Sequence, residues 1–177
     1  MHTLVENETW DLIEAPNGVK PIGCRWVYKV KYNADRSVNR YKARIVAKGY
    51  GQKHDIDYDE TFAPVAKMTI VRVLLAIAAA KGWHLHQMDV KNVFLQGELE
   101  EQVYMVQPPI FHSGTNTSAV CRLKKSLYGL KQAPHAWNAK ITQQLCRMGF
   151  ATSKSILHCS SGKVNSDRLV FYCMLMI

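Results

Sequence analysis

One carboxylate stands out in this 177-residue chain. Asp89 lies in HQMDVKNVFLQGEL (86–99), beside Gln87, Met88, Val90 and Val93, residue types that suit a half-buried strand. A charge held near a core needs a partner, because an unpaired charge in low dielectric is costly. The partner is either a neighbouring Lys or Arg, or a divalent metal. Mg²⁺ prefers one or two carboxylates together with substrate phosphates. Other groupings are weaker. His84 and His86 lie two apart and share a strand face, yet no third ligand follows at usable spacing. DIDYDE (55–60) resembles the opening of a calcium loop. Glu60, however, occupies the place of the sharp-turn Gly and Ala66 that of the bidentate Glu, so it is read as a solvated acidic turn.

The elements that would position Asp89 are legible around it. Residues 22–32, IGCRWVYKVKY, alternate apolar residues with Arg25, Lys29 and Lys31, and 40–48, RYKARIVAK, alternate again after a turn at 33–39. The pattern predicts a β-hairpin with Lys42, Arg44 and Lys48 on one face. Same-sign charges on paired strands repel, and a bound polyanion would relieve that. Thr69 is placed to cap a core helix over 70–81, with Val71, Leu74, Leu75 and Ala78 at helical spacing and Gly82 as its stop. Strands are predicted over 101–107 and over 120–127, the second basic with Lys124 and Lys125. Pro134 suits the first turn of a helix running to about Met148 and ended by Gly149.

Composition bounds the partners. Lys and Arg number 23 against 14 Asp and Glu, a formal charge of +9, which favours a polyanion such as nucleic acid. Hydrophobic content of 47% and charged content of 21% are those of a folded domain, long enough to bury a core. The five Cys are odd in number and form no CxxC pair, which supports neither zinc nor a disulfide framework. MHTLVENETWDL is no secretory signal, and no apolar run reaches membrane-spanning length. These features predict a soluble, intracellular protein without a membrane partner, nuclear or cytoplasmic.

Three long stretches then add up. The segment from WDLIEAPNG through KMTIVRVLLAIAA, the run LHQMDVKNVFLQGELEEQVYM, and CRLKKSLYGLKQAPHAWNAKI stand in one order from about Trp10 to Ser155. Together they closely resemble the reverse transcriptase of copia-type retrotransposons. The resemblance implies an α+β fold, the fingers and partial palm of a right-hand polymerase, with the thumb absent. It implies segments at 1–20 (a polar lead-in turning at Pro16, Asn17 and Gly18), 21–67 (fingers with the basic hairpin) and 68–118 (helix and first palm strands with Asp89). A basic strand, nucleotide and template loop and helix follow at 119–155, then an out-of-frame tail at 156–177. RNA template, DNA primer and dNTP are the implied partners and Mg²⁺ the cofactor. Met1 is read as internal to a longer polyprotein whose integrase, thumb and RNase H parts are missing.

Residue by residue, Asp89 matches the first metal-binding aspartate, and the Val90 carbonyl would serve the second ion. Phe94 matches the bulky residue under the deoxyribose that excludes a 2′-hydroxyl. Lys42 and Arg44 match the fingertip cations that grip the triphosphate, where a bidentate Arg fork suits phosphate. Tyr128, Gly129 and Lys131 match the loop lining the nucleotide and template. Lys29, Lys31, Lys48, Lys124 and Lys125 are expected on the nucleic acid. Val93 stands where the family usually has Ala, adding two methyls beside the incoming triphosphate.

The end of the chain departs further. The family's second motif, Tyr-x-Asp-Asp, supplies the remaining metal carboxylates, but here the corresponding stretch is LVFYCMLMI, with no acid. After SKS (153–155) the family continues with something like DTSLF, whereas this chain reads ILHCSS. The genetic code connects the two anomalies. Ile-Leu-His-Cys-Ser can be written ATA CTT CAT TGT TCC; with one G restored in front it reads GAT ACT TCA TTG TTC, which is Asp-Thr-Ser-Leu-Phe. Tyr-Cys-Met-Leu-Met-Ile can be written TAT TGT ATG CTG ATG ATA; moved by the same step it reads TTG TAT GCT GAT GAT, or Leu-Tyr-Ala-Asp-Asp. One lost nucleotide near codon 156 accounts for both. The expectation is a catalytically inactive fragment, with a non-enzymatic nucleic-acid-binding remnant as the alternative.

Overall fold

The computed structural model describes residues 2–63, 67–85, 90–109, 118–152, 159–164 and 167–172. A three-stranded antiparallel sheet forms its centre, in the order β1 (Trp10–Glu14), β5 (Ala119–Lys125), β4 (Glu98–Val106). Val103, Met105, Cys121 and Leu123 point into the core from β4 and β5, at positions two apart as strand geometry requires. Beside this sheet stands the predicted hairpin, β2 (Cys24–Tyr32) paired with β3 (Val38–Ala47). Its turn is held by Asn33 and Ser37: the Asn33 N–H donates to the Ser37 carbonyl at 2.9 Å. The root is tied to β4, where the Ile22 N–H donates to the Tyr104 carbonyl at 2.8 Å and the Val106 N–H to the Ile22 carbonyl at 2.9 Å. Cys24, Ile45 and Ala47 at that root join Leu95, Leu127, Leu130 and Ala133 in one core cluster.

Helix α3 (Ala133–Arg147) carries Pro134 in its first turn, where the missing N–H has no intrahelical partner to lose. Trp137 is buried, so it packs rather than reacts. Gly149, at φ +84°, ends the helix, and Phe150 donates back to the Leu145 carbonyl at 2.9 Å.

Four expectations are corrected. The lead-in over 1–20 is more ordered than its polarity implied. After a short helix α1 (His2–Glu6), β1 pairs with β5 along its length, Trp10 opposite Leu123. Thr69 caps nothing: α2 runs over Met68–Ala80 from Lys67, without a side-chain cap, and Thr69 lies within it. Nor is α2 a core helix. Ala78 is buried, while Met68, Val73, Leu75 and Ile77 remain exposed. Helical spacing fixes which residues share a stripe but not what covers it. The extended reading of 86–99 fails over 92–96, because Asn92 sits at φ +51° and Val93–Gln96 coil into a 3₁₀ turn before β4 begins at Glu98; residues 86–89 lie outside the described residues. Asn tolerates the left-handed region, so it can end an extended run that valines favour.

The last described segments form a second three-stranded antiparallel sheet, in the order β6 (Ala151–Thr152), β7 (Cys159–Val164), β8 (Asp167–Tyr172). Among the described residues no helix is long and apolar enough to cross a membrane.

Burial also sorts the cysteines. Desolvation pushes the Cys121 thiol up to about 12 and raises that of Cys24, whereas Cys146 is exposed. A thiol reagent at pH 8 is therefore expected to label Cys146 rapidly and leave Cys24 and Cys121 unmodified in the folded chain. Peptide mapping of the labelled protein checks this, and labelling of Cys121 at the Cys146 rate would contradict the packing.

Candidate nucleic-acid interface

Three distant stretches meet at Tyr128. Arg44 comes from β3, Phe94 from the 3₁₀ turn, and Tyr128 from the YGLKQ loop between β5 and α3. The Arg44 guanidinium lies 5.3 Å from the centre of the Tyr128 ring, and the Phe94 ring meets Tyr128 edge-to-face at 4.8 Å. Such a cation–π contact at a partly exposed site contributes roughly 0.5–1 kcal/mol. Its larger effect is positional, because it aims a planar fork of donors across an aromatic floor.

Backbone contacts hold the three together. The Ala47 N–H donates to the Tyr128 carbonyl at 2.8 Å, and Val46 bridges Tyr128 in parallel. Gly129 sits at φ +89° with its α-carbon against the Ala47 carbonyl, where a Cβ would collide with backbone. Gly49 meets the Gly129 carbonyl as closely. On the other side, the Ser126 hydroxyl donates to the Phe94 carbonyl and the Ser126 N–H to that of Gly97, at 2.8 Å for the latter.

Lys131 is occupied by the protein itself. Its ammonium donates to the Gln52 carbonyl at 3.1 Å and the Tyr58 hydroxyl at 3.3 Å, and lies 4.9 Å from the Tyr58 ring centre. Gln52 and Gln132 are buried and bonded to each other at 3.0 Å, and Gln132 also donates to the Asp57 carbonyl at 2.9 Å. This amide pair fastens the acidic turn to the start of α3. Sequence reading missed it, since its partners are eighty positions apart and nothing local marks a Gln as buried.

The hairpin carries the charge. Pairing sets Lys29 opposite Lys42, Lys31 opposite Arg40 and Val27 opposite Arg44. Arg25, Lys29, Lys31, Arg40, Lys42 and Arg44 therefore share one face. Lys48 continues that row, its stem lying over Gly23. Facing like charges cost roughly a few tenths of a kcal/mol per pair.

Lys124 and Lys125 have carboxylate partners instead. Lys124 reaches Asp11 at 2.9 Å and Lys125 reaches Glu98 at 3.4 Å. Arg122 and Lys124 hold the Asp11 carboxyl below its ordinary range, while Lys140, at 2.6 Å, and Lys125 do the same for Glu98. Basic character in β5 thus serves β1 and β4 in these contacts, which a one-dimensional charge count could not reveal.

Val90 and Val93 are half-buried beside the 3₁₀ turn. Asp89 lies outside the described residues, as does His86. Among the described residues no group of three or more His, Cys, Asp or Glu could hold a metal ion.

The family described as reverse transcriptase (RNA-dependent DNA polymerase) has a sequence model that matches residues 7–173, continuing past Ser155 into the tail. The chain is 50% identical over 152 residues to the retrovirus-related Pol polyprotein from transposon RE1 of Arabidopsis thaliana, covering 85% of this chain and 10% of that protein. The corresponding protein from transposon RE2 of the same plant is 49% identical over 152 residues, with the same coverage. That from transposon TNT 1-94 of Nicotiana tabacum is 49% identical over 140 residues, or 79% of this chain and 10% of the relative. The chain thus spans about a tenth of the length of these relatives. No solved structure matches. Extent and identity together place the chain in the reverse transcriptase (RNA-dependent DNA polymerase) family, in the part that copia-type retrotransposon Pol polyproteins share.

Proposed function

We propose that this chain is the fingers and partial palm of a copia-type reverse transcriptase, that it grips nucleic acid and nucleotide, and that it does not polymerise. The meeting of Arg44, Phe94 and Tyr128 carries the binding half of this reading. A cation fork beside two aromatic rings suits a triphosphate above a sugar and base. Lys42, on the same hairpin face, adds charge toward the phosphates, and Phe94 supplies the bulk that would meet a 2′-hydroxyl. Gly129 permits the close approach that seats Tyr128, whereas Lys131 acts through Gln52 and Tyr58 as a brace for that loop. Val93 narrows the space beside the triphosphate.

Mg²⁺ is the family's cofactor, and the donor set here does not fit a two-ion site. Asp89 and the Val90 carbonyl, adjacent in sequence, offer two ligands, and LVFYCMLMI provides no carboxylate to join them. Asp89 thus lacks the acidic partners that would make it catalytic. The loss of one nucleotide near codon 156 explains that gap and the change after SKS together.

A non-enzymatic remnant that holds RNA template or DNA primer through phosphates is the second reading, and the single basic face of the hairpin favours it. Anisotropy titrations of the full chain with a labelled single strand test this binding. Affinity is expected to fall with salt at a log–log slope of roughly −3, as for about four phosphate contacts. Lys29→Glu with Lys42→Glu should weaken binding roughly tenfold or more and flatten the slope. No binding at low salt would end both readings.

A further inference from the structure

The sheet at the end of the described chain is blunted on one side only. Its order is β6, β7, β8, so β6 and β8 are its edges. β6 is two residues long, and an edge that short offers almost no ladder to another chain. β8 is six residues long, DRLVFY, and after Arg168 the sequence runs on through CMLMI without a charged side chain, a Pro or a Gly. Folded proteins guard their edge strands with such residues, with a bulge or with a cover. Among the described residues β7 pairs with β8 in unbroken register, and no other element packs broadly against β8. Nor does β7 match it in character. Register sets Leu169, Val170 and Phe171 opposite Gly162, Ser161 and Ser160, an apolar run against a polar one. A run apolar at consecutive positions is the pattern of a strand that neighbours cover.

We propose that β8 is a self-association edge, at which two copies of this chain pair antiparallel through Asp167–Tyr172 into one six-stranded sheet. Charge selects the place. The chain carries +9, so most approaches of one copy to another are repulsive, but Asp167 and Arg168 cancel and no side chain after them is charged. The whole excess lies before β8. Identity selects the partner. A strand of high β-propensity and low net charge, without Pro, is a template for itself, because each apolar residue then meets another like it in place of a serine or glycine. Sheet order fixes the stoichiometry. Pairing of β8 with β8 uses the same patch on both copies and leaves the two-residue β6 strands as outer edges, so the assembly closes as a dimer and does not grow into a fibre. The pairing needs neither nucleic acid nor polymerase activity, and it holds whichever frame residues 156–177 were read from.

Sedimentation of the nuclease-treated full chain, from micromolar to millimolar concentration, tests this. A monomer–dimer equilibrium is expected, weak because a six-residue ladder is small beside a standard interface. Salt should tighten it, since screening lifts the repulsion between two +9 chains, whereas salt loosens a grip on phosphates. Val170→Lys with Phe171→Lys sets like charges across the edge and is expected to raise the dissociation constant roughly tenfold or more. Val170→Ile with Phe171→Tyr should dimerise as the parent does. Cross-linking gives a measurement that does not depend on how the lysine variant folds. In a chain with Cys146, Cys159 and Cys173 replaced by Ser, mild oxidation should join Val170→Cys into a disulfide dimer and leave Ala151→Cys, at the β6 edge, monomeric. A parent that stays monomeric at millimolar concentration overturns the proposal. So does a lysine variant that associates like the parent, equal cross-linking at the two positions, or growth past the dimer.

Discussion

Primer extension by this chain, supplied with template, primer, dNTPs and Mg²⁺, is expected to fall at least roughly a thousandfold below that of a relative retaining both acidic motifs. Each tenfold corresponds to about 1.36 kcal/mol of barrier, and charge stabilisation at the reacting phosphate is usually the largest contribution a site makes. Binding contacts at Arg44 and Tyr128 act on the ground state as much as on the transition state, so they cannot replace that contribution. Asp89→Asn is accordingly expected to change nothing measurable, because a carboxylate without its acidic partners has little left to lose. Incorporation that disappears in Asp89→Asn would overturn the inactive reading. Inserting one nucleotide ahead of codon 156, with translation carried through the downstream sequence, should bring back Leu-Tyr-Ala-Asp-Asp and with it extension.

The second large effect is structural. Gly129→Ala puts a Cβ into the Ala47 carbonyl oxygen, a backbone atom that cannot swing aside, and within 2.8 Å of Val46 Cγ1, at a positive φ that disfavours side chains. The loop must move, which breaks the 2.8 Å bond from Ala47 to Tyr128 and parts Arg44 from its aromatic floor. We expect about 3 kcal/mol of destabilisation, a fall in Tm of roughly 6–12 °C for a chain of this size. Thermal unfolding followed by circular dichroism checks the value. Gly18→Ala is the control, because it shares a positive φ without a close neighbour and should cost roughly 1 kcal/mol. Equal losses at the two positions would show that the close approach of Gly129 to β3 does not matter.

Sequence made the hairpin plain because alternation and turn chemistry are local: Arg25, Lys29 and Lys31 announce a wet face in their own strand. Helix α3 was similarly marked at both ends by Pro134 and Gly149. What sequence could not supply was pairing at a distance. Nothing near Trp10 shows that it lies opposite Leu123, and nothing near Lys124 shows that Asp11 will hold it. Exposure of Leu75 and Ile77 was hidden for the same reason, since helical spacing reports a stripe and not its cover. Of the candidate site, Arg44, Phe94 and Tyr128 were named from motif resemblance, and the structure adds how they touch. The apolar run from Leu169 was present in the letters throughout. It becomes an edge only when the sheet order sets β8 outside β7.

Genomic sequence across codons 150–177 and some distance beyond, read in all three frames, tests the central claim most directly. The frame displaced by one nucleotide is expected to read Asp-Thr-Ser-Leu-Phe after codon 155, then Leu-Tyr-Ala-Asp-Asp, and to continue as recognisable polymerase. A displaced frame with neither the acidic box nor a continuation would contradict it, and residues 156–177 would then be evolved sequence with a role of their own.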